Sequence, residues 1–323
     1  MYDFSKAFSG KVVLVTGSSG YIGSLLVDQL VNYSVRVIRV SRQKLKPKTG
    51  VDDVISDLTS LNCWVKILNG VDIIFHLASN TSIYEAEKNP KDSLNSNVLP
   101  IEQLILASTK INRIPKVIFA STATVYGMKA VFPVKENDET KPITVYDLHK
   151  KFAEQKLLDA ANKNIINLVI LRLANVYGPS LIESKSNDRG ILSKITKMKF
   201  EGKQIHVYGN GAYLRDYIYI DDVINAFLIV SIIKTDSNVF NVASGIGTTI
   251  NTVFNLISSK VERYVHVNSS VKNLEWPKGT AEIEKRNFIG SIELLKSETK
   301  WKPQVSLEEG INLLVSHFAK KYK

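Results

Sequence analysis

Residues 11–23 read KVVLVTGSSGYIG, and this stretch decides the fold of the chain. The segment Lys11 to Thr16 is rich in valine and predicts a β-strand, while the amphipathic segment Tyr21 to Asn32 predicts an α-helix. The turn between them contains glycines spaced three residues apart, namely Gly17, Gly20 and Gly23. A strand, a glycine-rich turn and a helix in this order predict a βα unit with a phosphate-binding turn.

Each glycine of this turn has a physical role in holding a pyrophosphate. Gly17 permits the tight turn, Gly20 lets the backbone approach the phosphates, and Gly23 lets the helix pack closely. The start of the helix, with Tyr21 and Ile22, supplies amide donors and the positive end of the helix dipole. A glycine triplet alone could be a flexible turn, but the strand before it and the helix after it favour dinucleotide binding.

The first half of the chain repeats this alternation of strand and helix. Further strands are predicted at Val35 to Val40, Asp72 to Leu77, Lys116 to Ser121 and Asn167 to Ala174, and further helices at about Asp92 to Asn112 and Tyr146 to Asn162. Strands that alternate with helices form a parallel sheet covered on both faces. The sequence therefore predicts an α/β fold with a Rossmann-type, doubly wound parallel sheet.

We predict a dinucleotide-binding Rossmann domain at residues 1–174 and a smaller C-terminal domain, mainly for substrate binding, at residues 175–323. After Asn175 the pattern loosens into glycine-containing loops and a basic helix around Gly190 to Gly202. Segments around residues 214–240 are expected to return to the Rossmann sheet. A ligand is expected in the crevice between the halves, at the carboxyl ends of the strands.

The composition is that of an ordinary globular protein. Of 323 residues, 44% are hydrophobic, which excludes a disordered chain. The formal net charge is +11, but the basic residues are spread along the chain without the interleaved aromatic residues of a nucleic-acid surface, so no nucleic-acid partner is expected. The single cysteine, Cys63, and the lack of an apolar run of about 20 residues predict a cytoplasmic protein with no disulfide, metal or membrane segment.

The end of the second strand bears on the choice of cofactor. In NAD-binding versions of this unit, an acidic residue there accepts hydrogen bonds from the ribose hydroxyls. Here the strand ends in Ser41 and Arg42, and a guanidinium favours a 2′-phosphate. The sequence therefore predicts NADP in preference to NAD. The alternative is that Arg42 is only a surface residue of the basic loop at residues 42–48.

Six motifs follow one another along the chain. They are Thr16 to Gly23, His76 to Ala78, Ser121 to Gly127, Tyr146-x-x-x-Lys150, Arg172 to Pro179 and Arg215 to Tyr217. In these motifs the chain resembles the extended short-chain dehydrogenase/reductases, and among them the NAD(P)-dependent epimerase/dehydratase family of nucleotide-sugar enzymes. That family includes UDP-galactose 4-epimerase. The resemblance implies an enzyme that acts on a nucleotide-diphosphate sugar, and it implies a homodimer.

The motif residues predict an acid–base site. Tyr146 and Lys150 are four residues apart at the start of a predicted helix and share one face. A nearby ammonium and an oxidised nicotinamide favour the phenolate, so Tyr146 can act as acid or base. Thr122 follows a strand that ends beside the nicotinamide, and its hydroxyl can hydrogen-bond the reacting sugar oxygen. The resemblance implies these same roles. His149 is expected on the surface, facing away from Tyr146.

The resemblance also implies further cofactor contacts along the carboxyl edge of the sheet. They are Asp57, Leu58, Leu77, Ala78, Ser79, Asn97 and Leu173, together with Tyr146 and Lys150. Asp57 matches the position that faces adenine, but it is equally suited to cap a helix that begins near Leu58. Asn97 matches an asparagine beneath the active site, and the alternative is a polar residue on a helix surface.

Two residues of the second half, Asn175 and Arg215, match family positions that contact the nucleotide diphosphate. With Thr122 they form the predicted substrate site. A guanidinium suits two phosphate oxygens, which supports this role for Arg215. The competing interpretation is a structural network between Arg215 and Asp216.

The residues after Thr122 bear on the type of reaction. A 4,6-dehydratase uses an Asp-Glu pair there, whereas Ala123 and Thr124 do not titrate, so dehydration is disfavoured. We predict a nucleotide-sugar epimerase that transfers hydride reversibly at a sugar carbon, with Tyr146 as acid and base. One alternative is an NADPH-dependent reductase of nucleotide keto sugars, which the predicted NADP site favours. The other is a non-catalytic regulatory protein, but Thr122, Tyr146 and Lys150 are all retained.

Overall fold

The computed structural model describes residues 2–179, 190–265 and 271–322. The strands are β1 (Val12–Thr16), β2 (Arg36–Ser41), β3 (Val51–Ile55), β4 (Ile73–His76), β5 (Lys116–Thr122), β6 (Asn167–Leu173), β7 (Asn175–Tyr177), β8 (Ile205–Tyr208), β9 (Leu214–Tyr219), β10 (Val239–Val242), β11 (Gly247–Thr249) and β12 (Val271–Leu274). Seven strands form one sheet in the order β10-β6-β5-β4-β1-β2-β3, and all its neighbouring pairs are parallel. The prediction of a Rossmann-type, doubly wound sheet is confirmed.

Helices connect these strands. They are α1 (Phe4–Phe8), α2 (Tyr21–Leu30), α3 (Leu61–Ile67), α4 (Ile83–Lys88), α5 (Pro90–Asn97), α6 (Leu99–Lys110), α7 (Val145–Asn162), α8 (Ile191–Phe200), α9 (Ile220–Ile232), α10 (Ile250–Val261), α11 (Glu293–Thr299) and α12 (Leu307–Ala319). Two short 3-10 helices span Ala123–Tyr126 and Glu282–Lys285. The prediction of one helix from Asp92 to Asn112 is wrong, because α5 ends at Asn97 and α6 begins with Pro100 in its first turn.

The large sheet separates two hydrophobic cores. Because successive side chains of a strand point to opposite faces, Leu14 of β1 packs in one core while Val13 and Val15 pack in the other. The core around Leu14 lies beneath α3, α6 and α7. The second core contains α2 and α9 and continues into α8, α10 and α12 of the second half. The two halves therefore share one core and are packed together.

The second half adds smaller sheets. The strands β11, β9 and β7 form a three-stranded sheet, and β12 pairs with β8. Of the segments between residues 214 and 240, β10 pairs with β6 in the large sheet, while β9 pairs with β7 and β11. The division of the chain after residue 174 stays a prediction.

Within the described ranges, no helix combines the length and apolar character needed to span a membrane. The same residues contain no group of three or more His, Cys, Asp or Glu side chains arranged to hold a metal ion.

Candidate active site

The glycine-rich turn packs against the backbone at the end of β4. Gly17 has a φ of +66°, and a Cβ there would lie 2.6 Å from the amide nitrogen of Ala78. Gly23 lies in the first turn of α2, and a Cβ there would lie 2.3 Å from the carbonyl oxygen of Gly17. Both positions therefore require glycine if the turn is to fit between β4 and α2. The atoms that exclude a larger residue at position 23 therefore belong to the glycine-rich turn, and not to the strands of the sheet.

The first turn of α2 fits a pyrophosphate. Gly20 is the N-cap residue, has no side chain with which to cap the helix, and is followed by a turn without acidic residues. The amides of such a helix start can donate hydrogen bonds to an anion. Ile22 and Tyr21 are half-buried, and a Cβ at Gly178 would lie 3.0 Å from the Tyr21 hydroxyl. The Tyr21 side chain thus extends toward the second half, and the backbone of the turn is what can meet the phosphates.

A buried histidine links the ends of β1 and β4. The Thr16 Oγ1 atom lies 3.2 Å from Nδ1 of His76 and accepts a hydrogen bond from the amide of Ala78 at 3.1 Å. Burial lowers the pKa of His76 to about 3, and the charge of Lys150 adds to the decrease. The ring is therefore neutral at pH 7, and it helps to hold Leu77 and Ala78 beside the glycine-rich turn.

Asn97 positions the loop that follows β4. It is buried, and its Oδ1 accepts hydrogen bonds from the Ser79 hydroxyl at 2.7 Å and from the Asn80 amide at 3.0 Å. Its Nδ2 donates to the Asn80 carbonyl at 3.0 Å and to Ser93 Oγ at 3.2 Å. The alternative of a polar residue on a helix surface is therefore wrong, since α5 faces this loop. Any effect of Asn97 on a cofactor passes through Ser79 and Asn80.

The end of β2 supports a preference for NADP less strongly than the sequence predicts. The Ser41 hydroxyl donates to the carbonyl of Gln43 at 2.5 Å, and Arg42 is exposed. The arginine that is held firmly in this region is Arg39, which donates to both carboxylate oxygens of Asp53 at 2.7 Å. A bidentate ion pair fixes Arg39 between β2 and β3. Arg42 lies at the surface, at the start of the basic loop, and its side chain is exposed.

The proposed helix cap at Asp57 is wrong. The helix α3 begins at Leu61 with Ser60 as its N-cap residue, and Asp57 Oδ1 instead accepts a hydrogen bond from the Thr59 amide at 2.9 Å. An aspartate that closes a local turn in this way competes with helix formation. Asp57 is exposed and Leu58 is half-buried, and their contact with adenine stays a prediction.

The predicted catalytic residues lie at the carboxyl end of β5. Thr122 is the last residue of this strand and is paired in the sheet with Leu173, the last residue of β6. Tyr146 lies in the first turn of α7 and is buried. One turn later, the Lys150 Nζ atom donates to the carbonyl oxygen of Ala120 at 2.6 Å. The lysine therefore fixes the start of α7 on β5, close to the threonine.

Asp147 is a buried carboxylate at the same place, and the sequence analysis gives it no role. Its Oδ1 accepts a hydrogen bond from the Thr124 hydroxyl, and its Oδ2 accepts one from the Thr144 hydroxyl at 2.7 Å. The Thr124 and Thr122 hydroxyl oxygens are 2.8 Å apart. Burial raises the pKa of Asp147, whereas both hydrogen bonds and the charge of Arg286 oppose the rise. The sequence signal was an acidic residue directly after Tyr146.

The prediction that His149 lies on the surface is wrong. Its side chain is buried, and its Nδ1 atom lies 2.9 Å from the Ser93 hydroxyl on α5. Burial lowers the pKa of His149. The helix α5 packs against α7 and covers this residue. A helix face that points away from one site can still be covered by a neighbouring helix.

A buried ion pair anchors α7 beneath the active site. The Glu154 and Arg172 side chains are 0% and 4% exposed. Arg172 donates from Nε and Nη2 to the two carboxylate oxygens at 3.0 and 2.7 Å, and the Ser121 hydroxyl donates to Oε1 at 2.5 Å. Arg172 also donates to the Tyr126 hydroxyl at 2.9 Å. The sequence analysis missed Glu154, although its spacing of four residues from Lys150 places it on the same helix face.

Two of the predicted substrate residues, Asn175 and Arg215, lie on the paired strands β7 and β9 of the second half. The Arg215 guanidinium is buried and donates to the carbonyl oxygens of Arg286 and, at 2.6 Å, of Glu284. Arg286 donates from Nη2 to Asn175 Oδ1 at 3.5 Å. Burial lowers the pKa of Arg215 to about 10, and the charge of Arg286 adds to the decrease. Two neighbouring guanidinium groups favour a bound anion. Arg286 was missed because it lies in none of the sequence motifs.

The competing network between Arg215 and Asp216 does not form. The Asp216 carboxylate accepts hydrogen bonds from the amides of Ser244 at 2.7 Å, Gly245 at 3.0 Å and Gly290 at 3.2 Å. Neighbouring residues of a strand point to opposite faces, so Arg215 and Asp216 bind different loops.

The comparison with known families agrees with this geometry. Residues 13–243 match the profile of the NAD dependent epimerase/dehydratase family. The chain belongs to this family. The resemblance inferred from the six sequence motifs is thereby confirmed, and the nucleotide-sugar epimerase and dehydratase enzymes are its relatives.

Individual relatives are similar along nearly the whole chain. The UDP-glucose 4-epimerase of Mycolicibacterium smegmatis is 27% identical over 323 residues, which cover 95% of this chain and 98% of the relative. The crystal structure of a UDP-glucose 4-epimerase with UDP-glucose from Thermotoga maritima is 30% identical, with a TM-score of 0.85, and the match covers 97% of this chain and 100% of that chain. Decarboxylases are also among the relatives. UDP-glucuronic acid decarboxylase 1 of Danio rerio is 26% identical, and the match covers 96% of this chain and 73% of the relative.

A further structure bears on the cofactor. MoeE5, in complex with UDP-glucose and NAD, is 26% identical to this chain, with a TM-score of 0.83 and coverage of 97% of this chain and 100% of that chain. The family description also names NAD. The sequence-based preference for NADP finds no support in these comparisons.

Proposed function

We propose that the chain is a UDP-sugar 4-epimerase that uses NAD as a bound, regenerated cofactor. The observation that carries this proposal is the placement of Thr122, Tyr146 and Lys150 at the carboxyl end of β5. In the sheet, β5 is separated from β1 and its glycine-rich turn only by β4. Neighbouring strands are about 4.8 Å apart, so the turn and the end of β5 are about 10 Å apart. A dinucleotide with its pyrophosphate at the turn can extend along this edge to Thr122.

Tyr146 moves the proton in the proposed reaction. A dinucleotide held at the glycine-rich turn and at the carboxyl end of β5 would supply a nicotinamide for reversible hydride transfer at the sugar carbon. Tyr146 takes the proton of the sugar hydroxyl as the carbonyl forms and gives it back when the alcohol forms again. Lys150, held by the carbonyl of Ala120, contributes a positive charge that favours the phenolate. Thr122 hydrogen-bonds the same sugar hydroxyl before the transfer and holds it beside Tyr146.

Arg215, Arg286 and Asn175 support a nucleotide-diphosphate substrate. The backbone contacts of Arg215 and the Arg286–Asn175 hydrogen bond hold the two guanidinium groups close together. Two held guanidinium groups are suited to a diphosphate, which carries at least two negative charges. The relatives that act on UDP-sugars support uridine as the base of the nucleotide.

The absence of a second acid–base pair beside Thr122 argues against a dehydratase. Ala123 and Thr124 follow Thr122, and the nearby Asp147 carboxylate is fully buried with both oxygens bonded to threonine hydroxyls. A carboxylate that is 0% exposed and accepts hydrogen bonds at both oxygens is poorly suited to remove a proton from a sugar carbon. The second candidate is the keto-sugar reductase. It ranks below the epimerase because the residue that favours NADPH is Arg42, whose side chain is exposed.

We also propose a cytoplasmic homodimer. On the surface formed by α6 and α7, three apolar residues are exposed. They are Leu106, Leu148 and Phe152, which are 53%, 39% and 45% exposed. Leu148 and Phe152 are four residues apart and share one face of α7. A second copy of the chain would bury these apolar side chains.

The proposed function is tested with Tyr146→Phe and the control Tyr264→Phe. Tyr264 is exposed and lies far along the chain, on the loop after α10, so its hydroxyl should not affect turnover. Interconversion of UDP-glucose and UDP-galactose is followed by NMR without added cofactor. Tyr146→Phe should lose about 10²–10⁴-fold in kcat and retain its bound cofactor. Activity within a few-fold of the parent would refute the role of Tyr146. Conversion of keto sugars alone, with stoichiometric consumption of NADPH, would favour the reductase.

A further inference from the structure

We propose that Asp147 fixes the direction of the hydrogen bonds around Thr122, so that Thr122 presents an acceptor oxygen, and not a proton, to the reacting sugar hydroxyl. The proposal rests on the proposed function, because it assigns a sugar alcohol to the site. Asp147 acts through Thr124 and Thr122 and is therefore a positioning residue. It would make the site selective for a hydroxyl at the reacting carbon.

The first step concerns the partners of the carboxylate. Asp147 is 0% exposed, and its two oxygens face the hydroxyls of Thr124 and Thr144. An ionised carboxylate can only accept hydrogen bonds. Both threonines must therefore donate to Asp147 when it is ionised. Burial raises the pKa of Asp147, while the hydrogen bonds from the two threonines and the charge of Arg286 favour the ionised form.

The second step follows from the single proton that each hydroxyl carries. Because Thr124 gives its proton to Asp147, it has none for the contact with Thr122 Oγ1 at 2.8 Å. Thr122 must therefore donate in that contact. Thr122 Oγ1 also accepts a hydrogen bond from the Thr124 amide at 3.2 Å. One lone pair of Thr122 then remains, and it can accept a hydrogen bond.

The consequence for the substrate concerns the two forms of the sugar oxygen. A sugar hydroxyl can donate to the remaining lone pair of Thr122, whereas a carbonyl or a fluorine at the same carbon cannot. In the keto form, Thr122 therefore provides no donor, and Tyr146 is the donor to the carbonyl oxygen. The sugar hydroxyl carries one proton, so before turnover it donates to Thr122, and it turns to donate to the Tyr146 phenolate when Tyr146 takes the proton.

The direction of the hydrogen bonds can be measured without substrate by neutron diffraction from crystals of the deuterium-exchanged protein at about pH 8, above the ordinary range of a carboxyl pKa. We expect the Thr124 deuteron on the line to Asp147 and the Thr122 deuteron on the line to Thr124. A Thr124 deuteron on the line to Thr122 would overturn the proposal, whether or not the protein is an epimerase.

The effect on selectivity is measured by calorimetry in the Tyr146→Phe background, which prevents turnover. The probes are UDP-galactose and UDP-4-deoxy-4-fluoro-galactose. We expect the hydroxyl compound to bind about three- to tenfold more tightly. Adding Thr124→Val releases the Thr122 proton, so the preference should fall to about twofold or less. The matched control, Thr124→Ser, retains the hydroxyl chain and should retain the preference.

Two outcomes separate this proposal from the proposed function. If both compounds bind and the preference is the same with Thr124→Val and Thr124→Ser, the role of Asp147 is refuted while the UDP-sugar site stands. If neither compound binds, the proposed function and the selectivity claim both fall, and the neutron result alone decides the direction of the bonds.

Discussion

Replacing Glu154 with methionine should destabilise the protein strongly, because it leaves a buried guanidinium without its carboxylate. Glu154 and Arg172 are 0% and 4% exposed and are joined by two hydrogen bonds of 3.0 and 2.7 Å. Removing one partner of such a pair costs about 3–5 kcal/mol, since the remaining charge stays buried. Glu154→Met also removes the acceptor of the Ser121 hydroxyl, so we expect the upper part of this range.

Removing both charges should cost much less than the sum of the two single changes. In Glu154→Met/Arg172→Met both buried charges are removed, and the other ion-pair partner of Glu154, Lys151, is 28% exposed and can be hydrated. The two methionines have similar volume to the residues that they replace. We expect the double variant to be more stable than the sum of the single effects predicts by at least about 2 kcal/mol. The Tyr126 hydroxyl still donates to Asn241 at 2.8 Å in the absence of Arg172.

Urea denaturation followed by circular dichroism measures these free energies. The matched control is Glu102→Met. Glu102 of α6 forms an ion pair at 2.8 Å with Lys156 of α7, the helix that carries Glu154, but these two side chains are 39% and 43% exposed. An exposed pair contributes about 1 kcal/mol or less. If Glu154→Met destabilises the protein no more than Glu102→Met, or if the two buried changes are additive, the assignment of a coupled buried pair is wrong.

Three further outcomes follow from the site. Gly23→Ala should weaken NAD binding about tenfold or more in a folded protein, measured by retained nucleotide, because the new Cβ meets the Gly17 carbonyl at 2.3 Å. The pKa of His76 is about 3 in the folded state and about 6.5 in the unfolded chain. As the pH falls below about 6.5, the unfolded chain binds the proton first, so the free energy of unfolding decreases. At pH 5 this loss is about 2 kcal/mol, and His76→Asn should abolish it in urea titrations at pH 5 and 7. Arg42→Ala should leave NAD affinity unchanged; a selective loss of NADP affinity would restore the NADP prediction.

The fold could be predicted from the sequence because its signals are local. The valine-rich strand at residues 11–16, the glycines at regular spacing and the helix after them follow one another within thirteen residues, as Lys11 to Gly23. Periodicity and glycine placement act over such distances, so five of the seven strands of the large sheet and the helices α2, α7 and α8 could be located. The break between α5 and α6 is also local, since Pro100 marks it, although the pattern of apolar residues continues through it.

The candidate site was predicted only where motifs mark it. Thr122, Tyr146 and Lys150 were found from their spacing and from the family resemblance, and their placement at β5 agrees with the order of the strands. The sequence alone did not show that His149 is covered by α5, because burial of an outward helix face depends on the neighbouring helix. It also gave Arg42 a weight that an exposed side chain does not support.

The sequence by itself determined the parallel sheet, the glycine-rich turn between β1 and α2, and the family. Only the tertiary structure decided which polar side chains form hydrogen bonds and ion pairs with one another. Thr124 and Asp147 are 23 residues apart in the chain, and Arg286 and Asn175 are 111 apart. Hydrogen bonds act over about 3 Å and depend on burial, so contacts between such distant residues exist only after the chain has folded.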